Sequence, residues 1–235
     1  MASALLAPSA YAQREPQKFI QIADDFSRDS ANWLAAFTDY NLINSVPHRI
    51  AEIRTLPPYI DASRRAFYLQ AVNDSDDLFS FLKKPITPDD GIEPNAIYEV
   101  SFLVEFASNA STECAGLGGA PGLDVYLKVG ASATEPVATL VGEKLTFNLD
   151  KGNQAEGGRD ATVAGHIGVI NDECDPEKAR FVLAERRQKH TQRVRASSFG
   201  WLWLFVGADS GYEGLNQLYY SRIVVTLTRV EGGAR

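Results

Sequence analysis

Five oxygen-bearing residues stand in a row at Asn73-Asp74-Ser75-Asp76-Asp77. Hard divalent cations take oxygen ligands, so Asp74, Asp76 and Asp77 are the candidates for a structural Ca²⁺. The run lacks the glycine and closing glutamate of an EF-hand loop, and an acidic turn between two strands is the competing account. Asp150 to Gln154 with Asp160, and Asp209 to Glu213, supply similar oxygens and equally suit hairpin or Asx turns. Gly116 to Gly122 is glycine-rich, but no Lys-Ser/Thr follows it and no helix opens there, which predicts a flexible surface loop anchored by Cys114 instead of a phosphate cradle. Ser210 has glycine neighbours like those of some serine nucleophiles. No oriented base or oxyanion donor can be read beside it, and no catalytic residue is assigned. His48, His166 and His190 show no metal-binding spacing.

Aromatic residues offer a second kind of chemistry. Flat apolar rings stack on sugar rings while neighbouring carboxylates and amides read hydroxyls. Trp33 and Tyr212, with Asp209 and Glu213 near the latter, are the candidate ligand-binding residues. Trp201, Trp203 and Phe205 share one strand face and are expected to fill the core. The basic stretch from Arg186 to His190, continued by Arg193 and Arg195, has no interleaved aromatics for base stacking and reads as a solvated strand and turn.

The elements that must position these residues are strands. Short runs of Val, Ile, Phe, Tyr, Trp and Thr recur between Gly, Pro, Asn and Asp, and helical periodicity is scarce. Thirteen strands are predicted. Among them, Ile97 to Ser108 alternates most clearly, with Tyr98, Val100, Phe102, Val104 and Phe106 on one face. A long strand is also expected from Tyr219 to Val230, with Tyr220, Arg222, Val224, Thr226 and Thr228 on one side and Tyr219, Ser221, Ile223, Val225 and Leu227 on the other. Long loops are expected around Pro85 to Pro94, Asn109 to Gly122, Asp150 to Asp160 and Asn171 to Lys178. No repeat or linker divides the chain, so residues 13–235 are read as one all-β domain: a two-sheet antiparallel sandwich of jelly-roll type.

Charge and cysteines narrow the function classes. A net charge of -7 over 235 residues leaves no excess positive field for a nucleic-acid backbone. Cys114 and Cys174 lie in loop-like contexts and are expected to pair as a disulfide. Residues 1–12 are small, uncharged and apolar, and end in Ala10-Tyr11-Ala12. They suit a signal-peptide remnant or a disordered tail, and hence a periplasmic or extracellular protein. No stretch is apolar for long enough to be a transmembrane segment.

Phe26 to Trp33 followed by Phe37 to Tyr40, and the closing Leu218 to Leu227, resemble the first hairpin and final strand of galactose-binding-like and carbohydrate-binding jelly rolls. Phe106 to Ala110 with the glycine-rich loop, Asp150 to Gln154 and Asp209 to Gly214 resemble a group of uncharacterised exported bacterial β-sandwich proteins. The resemblance implies a fold and a compartment and carries no catalytic residue across. The expectation is a non-catalytic exported module binding a carbohydrate or another cell-envelope ligand, with Ca²⁺ as the candidate stabilising ion. A hydrolase of extracellular or envelope polymers and a self-associating structural protein are the alternatives.

Overall fold

The structure, a computed structural model, describes residues 19–43, 48–74 and 77–230. The N-terminal residues read as a signal remnant or tail lie outside them. Fifteen strands occur among the described residues: β1 (Phe19–Asp24), β2 (Leu34–Thr38), β3 (Tyr40–Asn41), β4 (Ile50–Thr55), β5 (Arg65–Val72), β6 (Leu78–Ile86), β7 (Ile97–Ser108), β8 (Val125–Ser132), β9 (Ala138–Val141), β10 (Lys144–Phe147), β11 (Ala161–His166), β12 (Val182–Lys189), β13 (Val194–Arg195), β14 (Leu202–Ser210) and β15 (Leu215–Arg229). The named strands pair antiparallel throughout. The first sheet runs β12-β7-β15-β5-β4, with β1 also on β15 and β13 on β7; the second runs β11-β8-β14-β6-β2, and β3-β10-β9 form a small third sheet. This is the two-sheet antiparallel sandwich that the strand pattern predicts.

Alternation along the strands builds the core between the two large sheets. Tyr98, Val100, Phe102, Val104 and Phe106 of β7 face Leu127 and Val129 of β8 and Leu202, Leu204 and Val206 of β14 in one buried cluster. On β15 the pattern breaks its own parity. Leu218 and Tyr220 point inward, as do Ile223, Val225 and Leu227. Tyr220 pairs with Phe106 while Arg222 pairs with the adjacent Glu105, so Ser221 is the extra residue of a β-bulge. The bulge corrects the face assignment made from simple alternation. It turns Tyr220 into the core and leaves Arg222, Val224 and Thr226 on the outer surface.

The second sheet is apolar on both faces near its centre, and a third layer covers it. Phe79 and Phe81 of β6 stack at 5.0 Å, and Phe147 from β10 packs edge-on against them and against Phe205 at 5.1–5.4 Å. Phe205 is therefore buried as expected, but beneath this cover and not between the sheets. Gly207 makes the packing feasible, because a Cβ there would lie 2.6 Å from the Phe79 ring. Pro85 falls inside β6, not in a loop. β2 stops pairing at Lys83, so the proline, which cannot donate, meets a partner only on its β14 side.

Cys114 and Cys174 form a disulfide. The neighbouring glycine-rich segment lies at the surface, with Leu117 73% exposed, yet it is seated closely: a Cβ on Gly118, at φ +72°, would lie 2.5 Å from the Gly211 carbonyl. Among the described residues, no helix is long and apolar enough to cross a membrane.

Candidate functional site

The four residues expected to bind a ligand do not form one exposed surface. Trp33 is 1% exposed and its Nε1 donates to Asp24 Oδ2 at 2.8 Å. It follows a turn in which Ala31 and Asn32 have positive φ, and it closes the core where exposure was expected. Tyr212 is half-buried, with its ring against Gly116 and Gly214, and the neighbouring Glu213 donates its backbone N–H to Leu117. Both help to seat the glycine-rich segment. Asp209 is fully buried.

Asp209 belongs to an ion network between the second sheet and its cover. Its Oδ2 lies 2.7 Å from Lys128 Nζ, and its two oxygens lie 2.9 and 3.0 Å from Lys151 Nζ. Lys128 also donates to the carbonyls of Lys151 and Glu156, at 2.8 and 2.9 Å. Lys151 continues to Asp77 at 3.3 Å and Asp39 at 3.7 Å, and Lys144 reaches Asp77 at 3.5 Å. Burial holds the Lys128 ammonium below its ordinary pKa despite Asp209. Burial opposes charge on Lys151 too, but Asp209, Asp39 and Asp77 outweigh it and leave that pKa raised. Asp39 is raised by burial, against the pull of Lys151. Every polar group here serves to join residues 144–160 to the sheet, so the network's chemistry is cohesion.

Of the expected calcium ligands, Asp77 meets the same network. Two ammonium groups answer Asp77, which is the environment of an ion pair and not of a cation site. Asp76 lies outside the described residues, and Asp74 is exposed. Among the described residues, no group of three or more His, Cys, Asp or Glu is arranged to hold a metal.

The accessible chemistry lies on the outer face of the second sheet, beyond the edge of the cover. Trp201 is 44% exposed, which corrects its assignment to the core. Trp203, on the same side of the strand, is half-buried. Lys83 Nζ stands 5.4 Å from the Trp203 ring centre and binds Glu135 at 2.6 Å and the Pro136 carbonyl at 2.8 Å. Leu34, 51% exposed, is cross-strand from Lys83, and Phe199 at the tip of the turn before Trp201 is 78% exposed. Ser197 fixes that turn, since its Oγ accepts from the Trp201 N–H at 2.9 Å. The Trp203 indole therefore stands beside a fixed ammonium–carboxylate pair in which Glu135 is the exposed acceptor, and Trp201 continues the same face two residues along the chain, so the surface offers apolar faces together with a carboxylate. The parity of Trp201, Trp203 and Phe205 was legible; that their face is the outer one was not.

The small cavity lined by Ser80, Asn216 and Tyr220 has a volume of about 10 Å³, which suits one water. His190 is another buried polar group outside any site. Its Nδ1 lies 2.8 Å from Thr162 Oγ1, its Nε2 is buried without a partner, and burial holds its pKa below 6.5, as it does for His166. As pH falls, the unfolded chain takes up these protons first, so the stability from both groups is complete above pH 6.5 and is lost as pH drops through their folded-state pKa values. The melting temperature of His190→Gln is expected to fall less steeply just below pH 6.5 than that of the parent. An unchanged slope would show that His190 protonates freely in the fold.

No family model matches the sequence, and comparison with curated proteins gave no match. Among solved structures, the chain is similar to the CBM22-1 xylan-binding domain of Xyn10C from Paenibacillus barcinonensis: TM-score 0.39, 9% identity, 94% of this chain and 99% of that one. It is also similar to a carbohydrate-binding module described for specific mannan recognition, TmCBM27: TM-score 0.40, 9% identity, 91% and 99%. A third similarity is to the enzymatically active domain of bacteriophage CBA120 tailspike protein 4: TM-score 0.35, 11% identity, 88% of this chain but only 20% of that one. Likeness at this level assigns neither a ligand nor a site.

Proposed function

We propose that the protein is a non-catalytic, exported carbohydrate-binding module whose ligand lies on the Trp201–Trp203 face. The observation that carries this reading is the exposure of Trp201 on the same face as Trp203, with Lys83 and Glu135 fixed beside the Trp203 ring. Leaving a tryptophan 44% exposed contributes little to folding, whereas an indole that stacks on a sugar ring regains that burial when the ligand binds. The Cys114–Cys174 disulfide supports an oxidising compartment, where such pairs persist.

A panel of neutral polysaccharides in affinity electrophoresis tests the reading. Trp201→Ala is expected to weaken binding by about 2 kcal/mol, roughly thirtyfold, with the melting temperature unchanged. Trp203→Ala should weaken it as well, with some loss of stability because that ring is half-buried. If the parent retards on none of the polymers, or Trp201→Ala binds as the parent does, the assignment of this face is wrong.

A further inference from the structure

The outer face of the first sheet carries a second arrangement, unrelated to the tryptophans. Strand register aligns Lys189, Ser101, Thr226 and Gln21 in one row across β12, β7, β15 and β1, and Arg187, Leu103, Val224 and Ala23 in the next. Three strand spacings make each row about 14 Å long. Seven of these side chains, together with Arg222, line a shallow groove of about 500 Å³ whose floor is Leu103 and Val224. The bulge at Ser221 is what brings Arg222, Val224 and Thr226 to this face, since unbroken alternation from the inward Tyr220 would turn them into the core.

The charges around the groove are unequal. Five basic side chains, Arg64, Arg187, Lys189, Arg193 and Arg222, share three carboxylates, Glu99, Glu105 and Glu185. A chain of net charge -7 thus concentrates an excess of positive charge at one groove. The pairing also permits exchange. Glu99 binds both Lys189 and Arg193, and Glu105 binds both Arg222 and Arg64, so Lys189 and Arg222 can turn to a ligand without leaving either glutamate alone. Exposed pairs of this kind are weak, and replacing one carboxylate by another costs little.

We infer that this groove binds an extended acidic saccharide chain of the hexuronate class, its carboxylates on Arg187, Lys189 and Arg222 and its hydroxyls on Ser101, Thr226 and Gln21. The two rows contain no aromatic ring for stacking nucleobases, which sets the groove apart from a single-stranded nucleic-acid channel. Polygalacturonate and its fully methyl-esterified form are the probes, used in affinity electrophoresis with the full chain. The parent is expected to bind the acid and not the ester, and more weakly as salt rises. Arg187→Gln combined with Arg222→Gln should weaken binding about tenfold or more at an unchanged melting temperature, with Lys189→Gln as an independent second variant. Trp201→Ala should bind polygalacturonate as the parent does, so this groove and the tryptophan face succeed or fail separately. The inference is overturned if the parent does not bind the acid, if the ester binds equally, if the arginine and lysine variants bind unchanged, or if a single-stranded oligonucleotide of equal charge binds as tightly.

Discussion

Asp209→Ala is expected to lower stability by about 3–5 kcal/mol, the cost typical of removing one partner from a buried ion pair. The substitution leaves Lys128, fully buried, with only the carbonyls of Lys151 and Glu156, and takes from Lys151 its nearest carboxylate. The Lys128 side chain is fully buried and that of Lys151 nearly so, so neither ammonium is left well hydrated. Asp209→Asn should cost less, because one oxygen remains to accept. The combination Lys128→Met with Asp209→Leu should recover much of the loss: it removes both charges together, while Lys151 keeps Asp39 and Asp77. Urea unfolding of these variants beside the parent checks the order, and adding Lys128→Met and Asp209→Leu singly closes the cycle that gives the coupling energy. A loss below about 1 kcal/mol for Asp209→Ala would mean that water enters the network readily and that the cover is held by its phenylalanines alone.

That network shows where sequence reasoning stops. Lys128 interrupts the apolar run from Val125 to Val129, and Asp209 closes the run from Trp201 to Ala208, so one buried charge of each sign was visible in strand-like surroundings. What could not be read was their meeting, which depends on β8 and β14 being neighbours in the sheet. The same limit explains the tryptophans. Period-2 alternation puts Trp201, Trp203 and Phe205 on one side of a strand but does not say which side faces the other sheet. The phenylalanines of β6 held a clue, since Phe79 and Phe81 alternate with the inward Leu82 and mark a sheet apolar on both faces. Trp33 failed for another reason: its burial follows from a turn built on left-handed residues and from the reach of Asp24, neither of which has a periodic signature. By contrast β7 was legible, because each inward side chain from Tyr98 to Phe106 is apolar and the alternation is regular. β15 was legible except at Ser221, where a single extra residue reversed the faces of everything before it.

The disulfide leads to the second large effect, and here sequence and structure give the same quantity. Cys114 and Cys174 are separated by 60 residues, and closing a loop of that length in the unfolded chain corresponds to about 4 kcal/mol on the chain-entropy model. Cys114→Ala with Cys174→Ala should therefore lose about 4 kcal/mol in urea unfolding, with a larger denaturant slope because the uncrosslinked chain exposes more surface when it unfolds. The native loops would change little. Thr112 donates to the Val169 carbonyl at 3.0 Å and Val169 to the Ala110 carbonyl at 2.9 Å, so the two segments remain zipped beside the vacated cysteines. Hydrogen exchange separates the two ways in which the bond could act. If its effect lies in the unfolded chain, amides throughout β7, β14 and β15 should lose protection together in the variant, because global unfolding becomes easier for all of them. If only residues near 109–116 and 167–174 lose protection while the strands keep theirs, the disulfide stabilises a local loop structure and the 4 kcal/mol expectation fails.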